Sequence, residues 1–431
     1  MKIALICAFS NSMVRSHLPL DNRKLYNFVR KCLGMEPMKG GYGDVASWNT
    51  NFINNFKVRN DVELIVISAH SGLKKGIVHF EAEGVQYYFV RNDRATLLKR
   101  LIKNPSLWHK LNPMRPVVRK IVRSVNPDVV ALMGAENAFI SGTVLGLEKE
   151  YPTILKGQTI YNNPDRCKHG LVDAKNAYVE RLIFDALKYV SFDTKMHYAL
   201  YREFQKDSYN FYWDLATTFC PVSKVKEKKY DFVNFANSMT PAKGFTDVLE
   251  AMGIVVQTHP EAKLNLIGRP TEENKKLYDG IIAKHRIEGN VFFTPFFEKQ
   301  TDMFQHLQKS RFAVLPYKLD YISSTTNQAM YYEMPVVVYR TAGTPTLNEK
   351  KECVLIADME NVEQLAEKML TLLEHPELAE ELRKNAKELV DYQNDGKRIS
   401  DEIMAAFRAI DAHFHHGTPI PEDLIYNPLE Q

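Results

Sequence analysis

The residues with the most chemical potential fall in two short stretches of the second half of the chain. In NSMTPAKGFTDVLEAM (237–252), Lys243 and Gly244 stand where a strand gives way to a helix whose apolar face is Phe245, Val248, Leu249 and Met252. A lysine and a glycine at a helix start make a simple anion site, because unpaired amides, the helix dipole and an ammonium point the same way. A diphosphate suits it. In DYISSTTNQAMYYEMPVVV (320–338), Asp320, a hydroxyl-rich turn at Ser323, Ser324 and Thr325, and then Gln328 precede a buried strand opening at Pro335. Between them, KLNLIGRP ends a strand in Gly268 and Arg269, where a glycine lets a ligand approach the backbone, and RFAVLPY closes with Pro316. A lone Lys-Gly pair also reads as a solvated charge beside a turn, so the ordered series carries more weight than any one member.

These residues need strands and helices to hold them, and the hydrophobic pattern supplies both. Short apolar runs at 3–9, 62–69, 85–90, 128–135, 152–157 and 189–192 alternate with stretches of helical period, the signature of βα units around a mostly parallel sheet. After a Lys-rich passage at 221–231, the best linker candidate, the rhythm restarts at 232–237, 263–268, 290–296, 311–317, 335–340 and 353–358. The charge-laced tail from Asn361 to about Phe407 places Leu365, Met369, Leu372, Leu382, Leu389 and Val390 at helical spacings. The expected architecture is α/β, with two doubly wound Rossmann-like domains and a ligand beyond the carboxyl ends of the strands, in the cleft between them.

Composition agrees and narrows the classes. A chain of 431 residues, 45% hydrophobic and 25% charged, is too long for one core, so two domains are expected. A net charge of +4 does not by itself imply nucleic acid. Five scattered cysteines in no metal spacing fit reduced thiols, and an N-terminal apolar run of seven residues is too short for a secretion signal, so a cytoplasmic protein is expected. His413, His415 and His416 lack the i, i+4 spacing of helical metal ligands, and no metal or bound cofactor is expected.

The second half resembles the C-terminal domain of the retaining GT-B glycosyltransferases of family GT4. That family's pattern is strand, Arg-x5-Lys-Gly, strand to Gly, strand to Pro-Ser, then E-x7-E running into A-M-x-x-G-x-P-V-V. This chain has Asn237-x5-Lys243-Gly244, LNLIG, AVLPY, Asp320-x7-Gln328 and Ala329-Met330-Tyr331-Tyr332-Glu333-Met334-Pro335-Val336-Val337, followed by Gly343, Thr344 and Glu349. The resemblance covers roughly 230–395 and is looser in the first half. It implies a GT-B fold with domains at 1–222 (acceptor) and 231–405 (nucleotide sugar), and a segment 406–431 returning to the first domain. It implies transfer of a sugar, with retention, from a nucleotide-diphosphate sugar to a carbohydrate or lipid-linked acceptor, an EC 2.4 hexosyltransferase reaction suited to envelope polysaccharide or glycolipid assembly.

In the matching positions, Lys243 pairs with the diphosphate, Asp320 meets the donor sugar, and Gln328 meets the ribose. Asn237, Gly244, Gly268, Arg269, Ser323, Ser324 and Thr325 complete the donor side. Asn237 replaces the family's arginine, Asp320 is one methylene shorter than Glu, and Gln328 is a neutral amide. Either another cation, such as Arg269, Lys318 or Lys156, makes up the charge, or the fold is retained without turnover and only binds a nucleotide sugar or a partner. A GT-B synthase or phosphorylase acting on a glucan is a further enzyme reading. Gly40, Gly41, Asp44 and Gln158 are acceptor-side or first-domain candidates, Gln158 standing about where many relatives place a histidine near the donor sugar, with Glu136 a further carboxylate.

Residues 94–123 hold nine Lys/Arg and no acidic residue, interleaved with leucines and Trp108. Such a surface can rest on an anionic leaflet at the inner face of the membrane, although Pro105, Pro113 and Pro116 break any long helix. Equally, its apolar residues can pack on the first sheet. Aromatic residues are too few there for a nucleic-acid platform.

Overall fold

The computed structural model describes residues 1–21, 44–157, 159–164, 172–192, 195–214, 219–295, 297, 299–318, 322–341 and 343–427. The chain divides into two compact units: Met1–Ala216 with Gly396–Gln431, and Thr217–Asp395.

The first unit is built on β1 (Lys2–Cys7), β2 (Glu63–His70), β3 (Ile77–Ala82), β4 (Val85–Arg91), β5 (Val129–Met133), β6 (Thr153–Gly157), β7 (Tyr189–Phe192) and β8 (Tyr209–Phe211), in the order β3-β4-β2-β1-β5-β6-β7-β8. All pairs are parallel except β3 with β4. The central strands are apolar throughout because helices cover both faces: β1 sends Ile3, Leu5 and Cys7 into one core and Ala4 and Ile6 into the other. The antiparallel β3 is absent from the run-based expectation. It is an edge strand whose residues alternate in exposure, so it has no continuous apolar run, and it joins β4 through a two-residue turn in which Glu83 and Gly84 both have positive φ (52° and 74°). The helix Gly396–His416 buries Ile399, Ile403, Phe407 and Ile410 in this unit's core, and His413 bonds the hydroxyls of Tyr189 (2.7 Å) and Tyr209 (3.2 Å).

The second unit holds β9 (Tyr230–Met239), β10 (Leu264–Pro270), β11 (Val291–Pro295), β12 (Ser310–Leu315), β13 (Val336–Tyr339) and β14 (Leu355–Ala357), all parallel and ordered β11-β10-β9-β12-β13-β14. Counted from the unit's first strand this is 3-2-1-4-5-6, the doubly wound order whose direction reverses between its first and fourth strands. The reversal falls between β9 and β12. Connections above those two strands leave in opposite directions and open a crevice at their carboxyl ends.

At the turn into β13, Glu333 takes a left-handed φ of 59°, in the place where the family pattern carries glycine. Its carboxylate bonds Lys224 (2.9 Å) and Arg383, and these cations outweigh the effect of burial and hold its pKa below the ordinary value. Backbone conformation that a glycine adopts freely is here held by two ion pairs.

Candidate functional site

The crevice at the β9/β12 reversal is closed from below by three short-range devices. Gly244 follows a single turn, Pro241–Lys243, with φ 73°, and a Cβ on it would lie 2.4 Å from the carbonyl oxygen of Pro316. Only glycine lets this turn seat against the end of β12. Lys318 donates its backbone N–H to the Ala242 carbonyl (3.0 Å), and Tyr317, almost fully buried, donates its hydroxyl to the Phe235 carbonyl on β9 (2.5 Å). Local sequence fixes the turn, and the hydrogen bonds fix its position against β12.

The Lys243 ammonium lies 4.5 Å from the centroid of the Tyr317 ring. That contact seats the ammonium against an electron-rich face at the crevice. The helix Phe245–Thr258 begins at Gly244 with no side chain bonded across its N-terminus, so its dipole adds positive potential at the same place. Within its first turn, buried Asp247 accepts from Tyr339 (2.8 Å) and pairs with Lys318 (3.1 Å), which also meets Glu360 (3.0 Å). Burial alone would depress Lys318, but the carboxylates of Glu360 and Asp247 outweigh it and raise its pKa. Lys318 is therefore committed to a structural network.

The remaining residues can be placed one by one. Asn237 is exposed near the end of β9. Gly268, with φ 155°, approaches Ala236 so closely that a Cβ would sit 2.5 Å from its carbonyl oxygen, and the register shifts there so that Arg269 pairs with Ser238. The exposed Arg269 is thus brought beside the strand segment holding Asn237. Ser323 caps the helix Ser324–Tyr331 by accepting from Thr325 N–H (3.2 Å), which occupies one of the amides expected to face a ligand; Ser324 is exposed, and Thr325 and Gln328 are half-buried. That helix packs on β12 and β13.

Asp320 lies outside the described residues, as do Gly40, Gly41 and Gln158. In the first unit, Asp44 is exposed and paired with Arg15 (2.6 Å). Lys156 is buried in that unit, bonded to the Trp213 carbonyl (3.1 Å) and Ser191 hydroxyl (3.3 Å) and lying 5.3 Å from the Trp213 ring centroid. Of the three cations considered as substitutes at Asn237, only Arg269 stands at the carboxyl end of a strand of this sheet beside Asn237. Tyr317, Asp247 and Tyr339 were absent from the sequence reading. Their only local signals were an aromatic after LP and an acid in a helix first turn.

The fold is that of the GT-B glycosyltransferases. The chain is similar to sucrose-phosphate synthase from Thermosynechococcus elongatus (TM-score 0.65, 14% identity, covering 96% of this chain and 99% of that one). It is also similar to HepE from Anabaena in complex with UDP (TM-score 0.62, 14% identity, 95% and 100%) and to a trehalose-6-phosphate structure from E. coli bound with UDP-2-fluoro glucose (TM-score 0.62, 9% identity, 95% and 99%). More particularly, residues 219–389 match the model of the family glycosyl transferases group 1, a span that lies within the second unit. An uncharacterized glycosyltransferase of Haemophilus influenzae is 22% identical over 162 residues, covering 37% of this chain and 44% of that relative's length.

Proposed function

We propose that the protein is a hexosyltransferase of the GT4 kind, moving a sugar from a nucleotide-diphosphate donor to an acceptor hydroxyl with retention. The observation that carries this is the Lys243 ammonium held over Tyr317 at the reversal of a 3-2-1-4-5-6 sheet, beside a helix N-terminus without a side-chain cap. As the glycosidic bond breaks, negative charge grows on the leaving diphosphate, and preorganised cations and amides aimed at that charge lower the barrier. Lys243 supplies the cation and Gly244 the close backbone approach. Arg269 takes up part of the charge lost at Asn237, Gln328 bonds the ribose and Asp320 meets the sugar. UDP and a UDP-sugar in structures of the same fold support a nucleotide sugar as co-substrate. This chemistry uses no bound metal.

Purified protein offered UDP-, GDP- and ADP-sugars should release nucleoside diphosphate, and Lys243→Ala should abolish most of that release. A protein that binds a donor without turnover would instead be a catalytically silent member of the fold, and one that binds none would end the proposal.

A lipid-linked acceptor, reached from the inner face of a membrane in envelope assembly, is favoured by one feature of the first unit. Leu97, Leu101, Leu107 and Leu111 are 57%, 68%, 49% and 51% exposed, and Arg94, Arg100, Lys103 and Lys110 are exposed among them. Trp108, by contrast, is fully buried and takes no part in such a surface. The three prolines fall at helix starts: Pro105 in the first turn of Pro105–Lys110, Pro113 at the cap of Met114–Val125 and Pro116 in its first turn. No helix among the described residues is long and apolar enough to cross a membrane, so contact would be peripheral. Co-sedimentation with anionic vesicles, lost in a Leu97→Ser/Leu101→Ser variant, tests it.

A further inference from the structure

The first unit contains two arginines without an ion pair among the described residues, and a buried histidine on which their charges act. Arg115 and Arg119 lie four residues apart on the helix Met114–Val125, so their side chains share a face. His109, on the preceding helix Pro105–Lys110, is 6% exposed. The Nδ1 of His109 and the Nε atoms of both arginines are buried without a hydrogen-bond partner, and neither guanidinium has an ion pair among the described residues. Buried polar groups are ordinarily satisfied, so the two Nε–H donors ask for an acceptor, and the His109 Nδ1, donor or acceptor by its tautomer, asks for a partner of its own.

The surrounding backbone is shaped to admit these groups. A Cβ on Gly142 would lie 3.2 Å from His109 Nδ1, and one on Gly146, where φ is 98°, would lie 2.6 Å from an Arg119 Nη. Two glycines thus let the 142–146 segment approach His109 and Arg119 closely. Two acids reach this group: Glu150, bonded to Arg123 and acting on Arg119, and Glu148, whose carboxylate accepts from the Gly146 N–H and which acts on Arg115. The pull of Glu148 on Arg115 is outweighed by burial and by Arg119, so the Arg115 pKa falls. Burial, then Arg115 and Arg119, push His109 down to about 4.

We propose that Arg115, Arg119 and His109 form a site for a phosphate group, with the guanidiniums as charged donors and the His109 ring as a third contact. Paired guanidiniums match the oxygen geometry of phosphate better than any other side chain, and a dianion offsets the like-charge crowding. The phosphate belongs either to a soluble phosphorylated acceptor or to a lipid headgroup, and the site lies within the basic stretch 94–123 that carries the exposed leucines. The site stands whether or not the donor reading of the second unit holds.

Inorganic phosphate is titrated into the full chain, followed by the His109 imidazole resonances and by melting temperature. Phosphate should shift those resonances and raise the melting temperature, and Arg119→Gln or Arg115→Gln should weaken binding about tenfold or more. Lys243→Ala should respond like the unaltered chain, which separates this site from the diphosphate crevice. Glucose 6-phosphate matching or exceeding inorganic phosphate supports a soluble ligand; capture on phosphatidate vesicles, displaced by inorganic phosphate, supports a headgroup. Unmoved His109 resonances in the unaltered chain overturn the proposal without reliance on any variant. So does an equal response in folded Arg115→Gln/Arg119→Gln protein.

Discussion

The Lys243 ammonium rests 4.5 Å from the centroid of the Tyr317 ring, and the Tyr317 hydroxyl is bonded to Phe235 across the sheet reversal. One tyrosine therefore ties β9 to the end of β12 and seats the cation assigned to the leaving diphosphate. The two roles separate by substitution. Tyr317→Phe keeps the ring and loses a hydrogen bond, so stability should fall by about 1 kcal/mol with donor affinity nearly unchanged. Tyr317→Leu removes the face beneath the ammonium and should weaken donor binding about tenfold, as a cation–π contact of about 1 kcal/mol or more implies. Calorimetric titration with nucleoside diphosphates reads the difference, and equal affinities in the two variants would count against the role of the ring.

Gly244→Ala should be among the most damaging single changes in the second unit. It sets a Cβ 2.4 Å from the Pro316 carbonyl oxygen at a φ of 73°. Strain and overpacking together should cost about 2 kcal/mol or more, seen as a lower urea midpoint with an unchanged slope. A midpoint equal to that of the unaltered chain would mean that the 241–244 turn can move off β12.

Asn237→Arg should improve turnover. Asn237 is exposed near the end of β9, and Ser238 beside it is in register with Arg269. A second cation at that place should raise kcat/KM by about tenfold, the scale of one charged hydrogen bond. A fall instead would show Arg269 to be repelled and displaced by the newcomer.

Gln328→Glu should lower the KM for donor if Gln328 meets the ribose hydroxyls, since a carboxylate accepts more strongly than an amide. Asp320→Ala should lower kcat with little change in donor affinity. If kcat is unaffected by Asp320→Ala, Asp320 has no part in the sugar site.

His109 predicts a specific acid sensitivity. Its pKa falls from an ordinary 6.5 to about 4 in the folded chain, so between those values the unfolded chain binds the extra proton. The stabilisation is complete above about pH 6.5 and is lost as the pH drops toward 4, by at most roughly 3 kcal/mol. Melting curves from pH 7 to 4 should steepen in that window for the unaltered chain and be flatter there for His109→Gln.

Much of the architecture was legible because the signals are local. Apolar runs of four to eight residues marked both sheets' parallel strands except β8, where Asn210 interrupts the apolar residues and leaves no run; β14, equally short, lies in the run at 353–358. The edge strand β3 escaped because alternation, rather than a run, is what a strand exposed on one face shows. The order of Lys243, Gly244, Gly268 and Gln328 was likewise readable, since spacing to a strand end or a helix start is a property of the chain. Lys318 and Lys156 looked interchangeable with Arg269 as spare cations because a sequence does not say what a lysine meets.

The sequence by itself determined the alternation of strands and helices, the glycines that permit close backbone approach, and the replacement of an arginine by Asn237. Which cations remain near the crevice was decided only by the tertiary structure. Lys318 is held by Asp247 and Glu360, Lys156 lies buried against Trp213, Lys243 rests on Tyr317, and Arg269 comes beside Asn237 through a register shift at Gly268. The reason is physical: the effect of a charge falls with distance and is cancelled by its nearest counter-charge, and those distances join residues that the chain separates by tens of positions.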